Sequence, residues 1–163
     1  MKLSSCAVPL NALGGLALLV LLALAPVGVR ADHPVPFRAS FTTQFESVVE
    51  FPIAHITVVG TGHSLHMGQT DAASNDQAVN LLTGEGAATY TLAAANGDTV
   101  VLSISFTTES LPNGVAFAGA YTVTGGTGRF AGATGSGAAS GAAIFTGPSG
   151  GVGSFELDGT ISK

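Results

Sequence analysis

The sequence predicts an all-β protein whose main part is one closed antiparallel β-barrel. Three observations carry that prediction. After the first 31 residues, bulky and polar side chains alternate with a period of two, which puts them on opposite faces of extended strands. Turn signals recur at short intervals, Asn96-Gly97 and Pro112-Asn113-Gly114 among them. No window past the leader has a helical period. A meander with one apolar face per strand must bury that face, and closure does so while removing sheet edges. The lysines that guard an open edge are missing.

The leader comes first. Lys2 gives a positive start, Leu10 to Ala25 is apolar apart from Asn11, and Pro26 ends the run. Val29-Arg30-Ala31 places small residues at −3 and −1 of a cleavage site, so cleavage is expected after Ala31. The run is shorter than the roughly 20 residues a spanning helix needs, and it holds Gly14 and Gly15, which argues against a retained anchor. Cys6 precedes the apolar run, where no lipoprotein cysteine sits, and leaves with it. The expected domains are a signal peptide at 1–31 and one barrel at 32–163, and the expected destination is the periplasm or the exterior. The 32–163 part has no cysteine, so it excludes disulfides and thiol catalysis.

The strands follow in order. Phe37, Phe41, Phe45, Val49 and Phe51 share one parity, with Arg38, Ser40, Thr42, Gln44, Glu46 and Glu50 on the other. Pro52 interrupts, residues 53–60 resume as a second strand, and residues 61–69 read as a third. Residues 70–80 are polar and irregular and read as the longest loop. Gly86, Ala88, Tyr90, Leu92 and Ala94 form one strand face, and Val100, Leu102, Ile104 and Phe106 form the return face after Asn96-Gly97. Val115, Phe117, Gly119, Tyr121 and Val123 follow, then a turn at Gly125-Gly126. A small-residue strand spans about 134–146, and the last carries Phe155, Leu157 and Ile161. The glycines of 125–137 suit bends and bulges. Phe130, Ile144 and Phe145 argue against disorder there, because they give the segment something to bury.

Charge and motifs exclude more than they select. Without the leader, Arg38, Arg129 and Lys163 face ten acidic residues, a formal charge of −7. Nucleic acid and, after cleavage, membranes are therefore not expected partners, since phosphate binding needs clustered cations. Gly126-x-Gly128-x-x-Ala131 fits a dinucleotide fingerprint in letters, but no helix follows it. No Gly-x-Ser-x-Gly elbow leads into a helix. His63 and His66 point to opposite strand faces; His55 shares the parity of His63, but backbone-bonded histidines are the simpler reading, and no metal is expected. Glu46 and Glu50 stand about 13 Å apart on a strand, too far for a glycosidase pair. Glu85 and Glu109 fall near strand ends, at a barrel rim. Arg129 reads as a structural ion pair or a carbonyl clamp closing the glycine-rich turn.

Tyr121 through Phe130, with Thr127-Gly128-Arg129-Phe130 and the following Ala-Gly-Ala-Thr-Gly135, resembles the Gly-Gly-Thr-Gly-x-Phe segment of the dirigent and allene oxide cyclase barrels. It is closer still to small exported bacterial proteins of that kind. Asn96-Gly97-Asp98-Thr99, Asp158-Gly159-Thr160-Ile161-Ser162 and Gly62-His63-Ser64-Leu65-His66-Met67-Gly68 fit the same pattern, over residues 53–162. The resemblance implies an eight-stranded antiparallel barrel with an apolar pocket. The plant families' acids, arginine and tyrosines do not match motif to motif here, so it implies no catalytic residue.

The expected architecture is a barrel of about eight strands, a size that holds packed side chains or one small ligand. The leading expectation is a binding barrel for a small hydrophobic molecule, lined by Phe41, Tyr90, Leu102, Phe106, Phe117 and Tyr121, with the tyrosine hydroxyls fixing orientation. No cofactor is expected. A cyclase, isomerase or dirigent-like enzyme is the second reading and needs an acid or base inside the barrel. A structural or surface-interaction module with a filled interior is the third. Self-association into a homo-oligomer is left open.

Overall fold

A computed structural model describes residues 33–163. The expected signal peptide and its expected cleavage site lie outside the described residues. Eight strands run in chain order: β1 Val35–Glu50, β2 Ile53–Ser64, β3 Gly68–Asn80, β4 Glu85–Ala94, β5 Thr99–Leu111, β6 Gly114–Gly126, β7 Thr134–Phe145 and β8 Gly150–Ser162. Each pairs antiparallel with the next, and β8 pairs back onto β1, so the sheet closes and has no edge.

The closed wall follows from the period of two. On β1, Phe37, Ala39, Phe41, Thr43 and Phe45 are buried while the residues between them face solvent. The same alternation carries Ala88, Tyr90, Leu92 and Ala94 on β4 and Val100, Leu102, Ile104 and Phe106 on β5 into the interior.

An eight-stranded barrel has room inside for only some large side chains. Here large and small residues stand opposite each other across neighbouring strands. Tyr121 is level with Gly137, Gly137 with Gly159, and Gly159 with Phe37. Phe117 is level with Gly141, and Phe41 with Gly62. A Cβ at Gly141 would lie 2.7 Å from the Phe117 ring, and one at Gly137 would lie 2.7 Å from the Tyr121 ring. These glycines leave room on one strand for an aromatic ring projecting from the next.

The structure corrects the expected course of the chain in three places. Residues 53–64 form one strand, and the turn falls at 65–67, where His66 has φ of 72° and its Nε2 lies 3.0 Å from the Pro36 carbonyl oxygen. Residues 70–80, expected as the longest loop, belong to β3. Its inward positions are small or polar: Thr70, Ala72 and Ser74 are buried, and the hydroxyls are bonded, Thr70 Oγ1 to the Gly68 carbonyl at 2.9 Å and Ser74 Oγ to Asp76 Oδ1 at 3.2 Å. Register shifts between Ile56 and Val58 and between Ala73 and Ala78 mark a bulge in β3, which breaks the two-residue rhythm. Third, β6 runs through Gly125-Gly126, and the reversal comes after it, in a 3₁₀ turn at Gly128–Phe130. Phe51 also departs from its expected side: it sits in the turn after β1, before a cis bond to Pro52, and is 73% exposed.

Candidate functional site

The two ends of the barrel differ. At one end lie the turns 65–67 and 95–98 and the longer connection 127–133. That end is filled. Phe37, Leu92, Val100, Phe130 and Ile161 are fully buried there, with Met67 and Ala133 in the same cluster. Gly128 takes φ of 58°, which glycine adopts without strain, so the 3₁₀ turn can direct Phe130 inward. Arg129 Nε donates to Asp98 Oδ2 at 2.7 Å, so of the two structural roles expected from the sequence it takes the ion pair. Asn96 Nδ2 donates to the same oxygen at 2.9 Å. Hydrogen bonds from Arg129 first, then Asn96, hold the Asp98 carboxyl below the usual carboxylate range.

At the other end lie the connections 51–52, 81–84, 112–113 and 146–149. They are short, and the interior beneath them is hollow. A cavity of about 690 Å³ opens there. Phe45 and Val49 of β1, Ile56 and Val58 of β2, Val79 of β3, Phe117 of β6, Phe145 of β7 and Phe155 of β8 give it an apolar wall. Leu81 and Leu82 stand at its rim, and Leu82 is 70% exposed.

The cavity stops about half-way down. On β4 it reaches Tyr90, whereas the next inward residue, Leu92, is fully buried in the packed half. On β5 it reaches Phe106, and Ile104 and Leu102 lie below. The floor is aromatic: the Tyr90 and Phe155 rings are 5.1 Å apart, Phe106 and Phe117 are 5.4 Å apart, and Phe41 stacks behind Phe155 at 4.7 Å.

Of the six residues expected to line a pocket, Tyr90, Phe106 and Phe117 come together on this wall. Phe41, Leu102 and Tyr121 face the same interior but sit in the packed half, with no share of the cavity surface. The Tyr121 hydroxyl is buried without a hydrogen-bond partner among the described residues, and burial, aided by the charge of Asp158, pushes its pKa up to about 12. The parity of the strands gave the side each residue faces but not its depth.

Sequence reasoning missed Gln77, which it placed in a loop. The β3 bulge turns Gln77 into the cavity wall, and the Tyr90 hydroxyl donates to Gln77 Oε1 at 2.8 Å. Asp76 stays outside and accepts from the Thr89 backbone N–H at 2.8 Å, which holds its carboxyl below the usual range. Burial first, then the charge of Asp76, drives the Tyr90 phenol well above the usual tyrosine range. Tyr90 is therefore a neutral hydrogen-bonding group at physiological pH. Thr43, Ser47, Thr108 and Ser110 add hydroxyls to the wall. No Asp, Glu, His, Lys or Arg lines the cavity among the described residues.

The other polar candidates are dispersed. His55 and His63 are exposed near opposite ends of β2, level with Val48 and Ser40, and no three metal-ligating side chains converge among the described residues. Glu46 and Glu50 near the end of β1, Glu85 at the start of β4 and Glu109 near the end of β5 are exposed around the open end. The chain matches no protein-family model, no curated protein and no solved structure.

Proposed function

We propose that this protein is an exported barrel that holds one small hydrophobic molecule in its open half. The observation that carries this reading is the cavity of about 690 Å³ with a mainly apolar wall and an aromatic floor. Pockets for small molecules are typically about 300–1,000 Å³, apolar, and furnished with a few placed polar groups. The Tyr90–Gln77 pair is such a group. An eight-stranded barrel with an apolar pocket is also what the resemblance to the dirigent and allene oxide cyclase barrels implies.

The wall composition favours a binding protein over a cyclase or isomerase. Acid–base steps need a group that gains or loses a proton near neutrality. The one titratable side chain on the described wall is Tyr90, and its surroundings move it further from neutrality. The void itself weighs against a purely structural module, whose interior would be filled.

The test is binding of a neutral apolar fluorophore, N-phenyl-1-naphthylamine, to the full chain and to Ala143→Phe. Ala143 lines the cavity and is only partly buried, so the added ring goes into empty space. The wild type should bind with enhanced emission and gain thermal stability. The variant should keep its melting temperature and lose affinity by about tenfold or more, the equivalent of about 1.4 kcal/mol. Equal affinity in the two proteins would place the dye elsewhere and overturn the proposal.

A further inference from the structure

The charges around the cavity restrict what can occupy it. Among the described residues the only lysine and arginines are Arg38, Arg129 and Lys163. All three belong to the filled end: Arg38 is near the start of β1 and pairs with Asp158 at 3.3 Å, Arg129 pairs with Asp98, and Lys163 Nζ lies 4.9 Å from the Phe130 ring centre. The open end carries Glu46, Glu50, Glu85 and Glu109 and no lysine or arginine. An anion approaching the mouth therefore meets negative charge. Once inside, it finds no cation on the described wall to offset its lost hydration, a penalty of several kcal/mol.

The polar groups on the floor specify a different head. The Tyr90 hydroxyl spends its proton on Gln77 Oε1. The Gln77 amide nitrogen has no protein acceptor among the described residues, and its side chain lies on the cavity surface. It is a donor without an acceptor, fixed in place by the bond at its other end. An ester, ketone or alcohol oxygen would satisfy it, and the rest of such a molecule would lie against Phe106, Phe117, Phe155 and Val58.

We infer that the occupant is an uncharged amphiphile, an apolar chain or ring system with one neutral oxygen that accepts from the Gln77 side-chain amide at the cavity floor. This rests on the binding-barrel reading and adds ligand class, orientation and a specificity-determining residue.

Displacement of N-phenyl-1-naphthylamine from the full chain by a matched pair, methyl dodecanoate and dodecanoate at pH 8, tests the inference. The ester should displace the dye at concentrations about tenfold lower than the carboxylate, or lower still, as expected from the unpaired-charge penalty. Gln77→Leu should weaken the ester by about threefold or more relative to the dye, each measured against its own wild-type affinity, the net worth of one hydrogen bond. Gln77→Met is the second variant should the first fail to fold. Exchanging the four rim glutamates for glutamine should narrow the gap between ester and carboxylate. A carboxylate that binds as well as the ester overturns the charge selection. An ester unaffected by loss of the amide overturns the anchor. Failure of the dye itself to bind the wild type, or its binding unchanged in Ala143→Phe, would overturn the underlying cavity reading, a result distinct from either.

Discussion

The filled half and the hollow half of this barrel are built from the same eight strands with the same inward alternation. They differ in what the connections deliver and in how large and small residues are matched. At the filled end, the 127–133 connection sends Phe130 inward, and the Tyr121 side chain lies over both Gly137 and Gly159. At the hollow end the connections are short, Leu82 and Phe51 stay largely in solvent, and Phe145 is half-exposed. The interior is therefore packed at one end and open at the other, where the proposed ligand would sit. The proposed binding pocket needs no dedicated domain, only an end of the barrel that the chain does not plug.

That contrast predicts unequal costs for the same change at the two ends. Phe130→Ala empties a fully buried site, so it should cost about 3–5 kcal/mol in denaturant unfolding. Phe145→Ala, at a half-exposed rim position, should cost about 1 kcal/mol or less. Equal losses would mean that the rim is packed as tightly as the plug. Next in size is Gly141→Ala. The new methyl would meet the Phe117 ring and the neighbouring strand's backbone, so about 1–3 kcal/mol should be lost, with Phe117 pushed toward the cavity. If Gly141→Ala is neutral in a thermal melt, the pairing of aromatic rings with facing glycines does not set the packing.

Much of this was legible in the sequence, and the failures have physical reasons. Alternation gave the strand faces because a residue's side of the sheet is fixed by its parity. Asn96-Gly97 and Pro112-Asn113-Gly114 located hairpins, the first because Gly97 takes φ of 87°, which glycine adopts without strain. β3 escaped notice because its inward residues are Thr70, Ala72 and Ser74, whose burial depends on local hydrogen bonds and not on hydrophobicity. The bulge that brings Gln77 inside is a register shift against both neighbours, and no pattern within β3 alone encodes it. Depth along the barrel axis was equally hidden: Tyr90 and Tyr121 have the same kind of strand face, yet one floors the cavity and the other is sealed below it.

The two tyrosines, one from each half, give a measurement of both at once. They are the only tyrosines in the chain, and there is no tryptophan. Burial raises Tyr121 to about 12 and Tyr90 in the same direction. In the unfolded chain both lose their protons near pH 10. A folded pKa above the unfolded one means that the stabilising contribution is whole below about pH 10 and is lost as pH rises through the folded values. Phenolate absorbance should therefore stay absent at pH 10–11 while circular dichroism remains native, and then appear together with unfolding. Phenolate forming near pH 10 in the folded protein would show that water reaches one of the two rings.

The smallest effect concerns the clamp outside the plug. Asp98 is held below the usual carboxylate range by Arg129 and Asn96, so the sign is opposite to that of the tyrosines. Its contribution is present above the unfolded aspartate value of about 3.9 and is lost as pH falls toward the lower folded value. Asp98→Asn should lower the denaturation midpoint slightly at pH 7, and the gap to wild type should close as pH drops below about 4 and shrink in high salt. The pair is partly solvent-exposed, so the shift should be far below that of Phe130→Ala. A comparable loss would mean that the Asp98–Arg129 bond, and not the burial of Phe130, holds the end of the barrel shut.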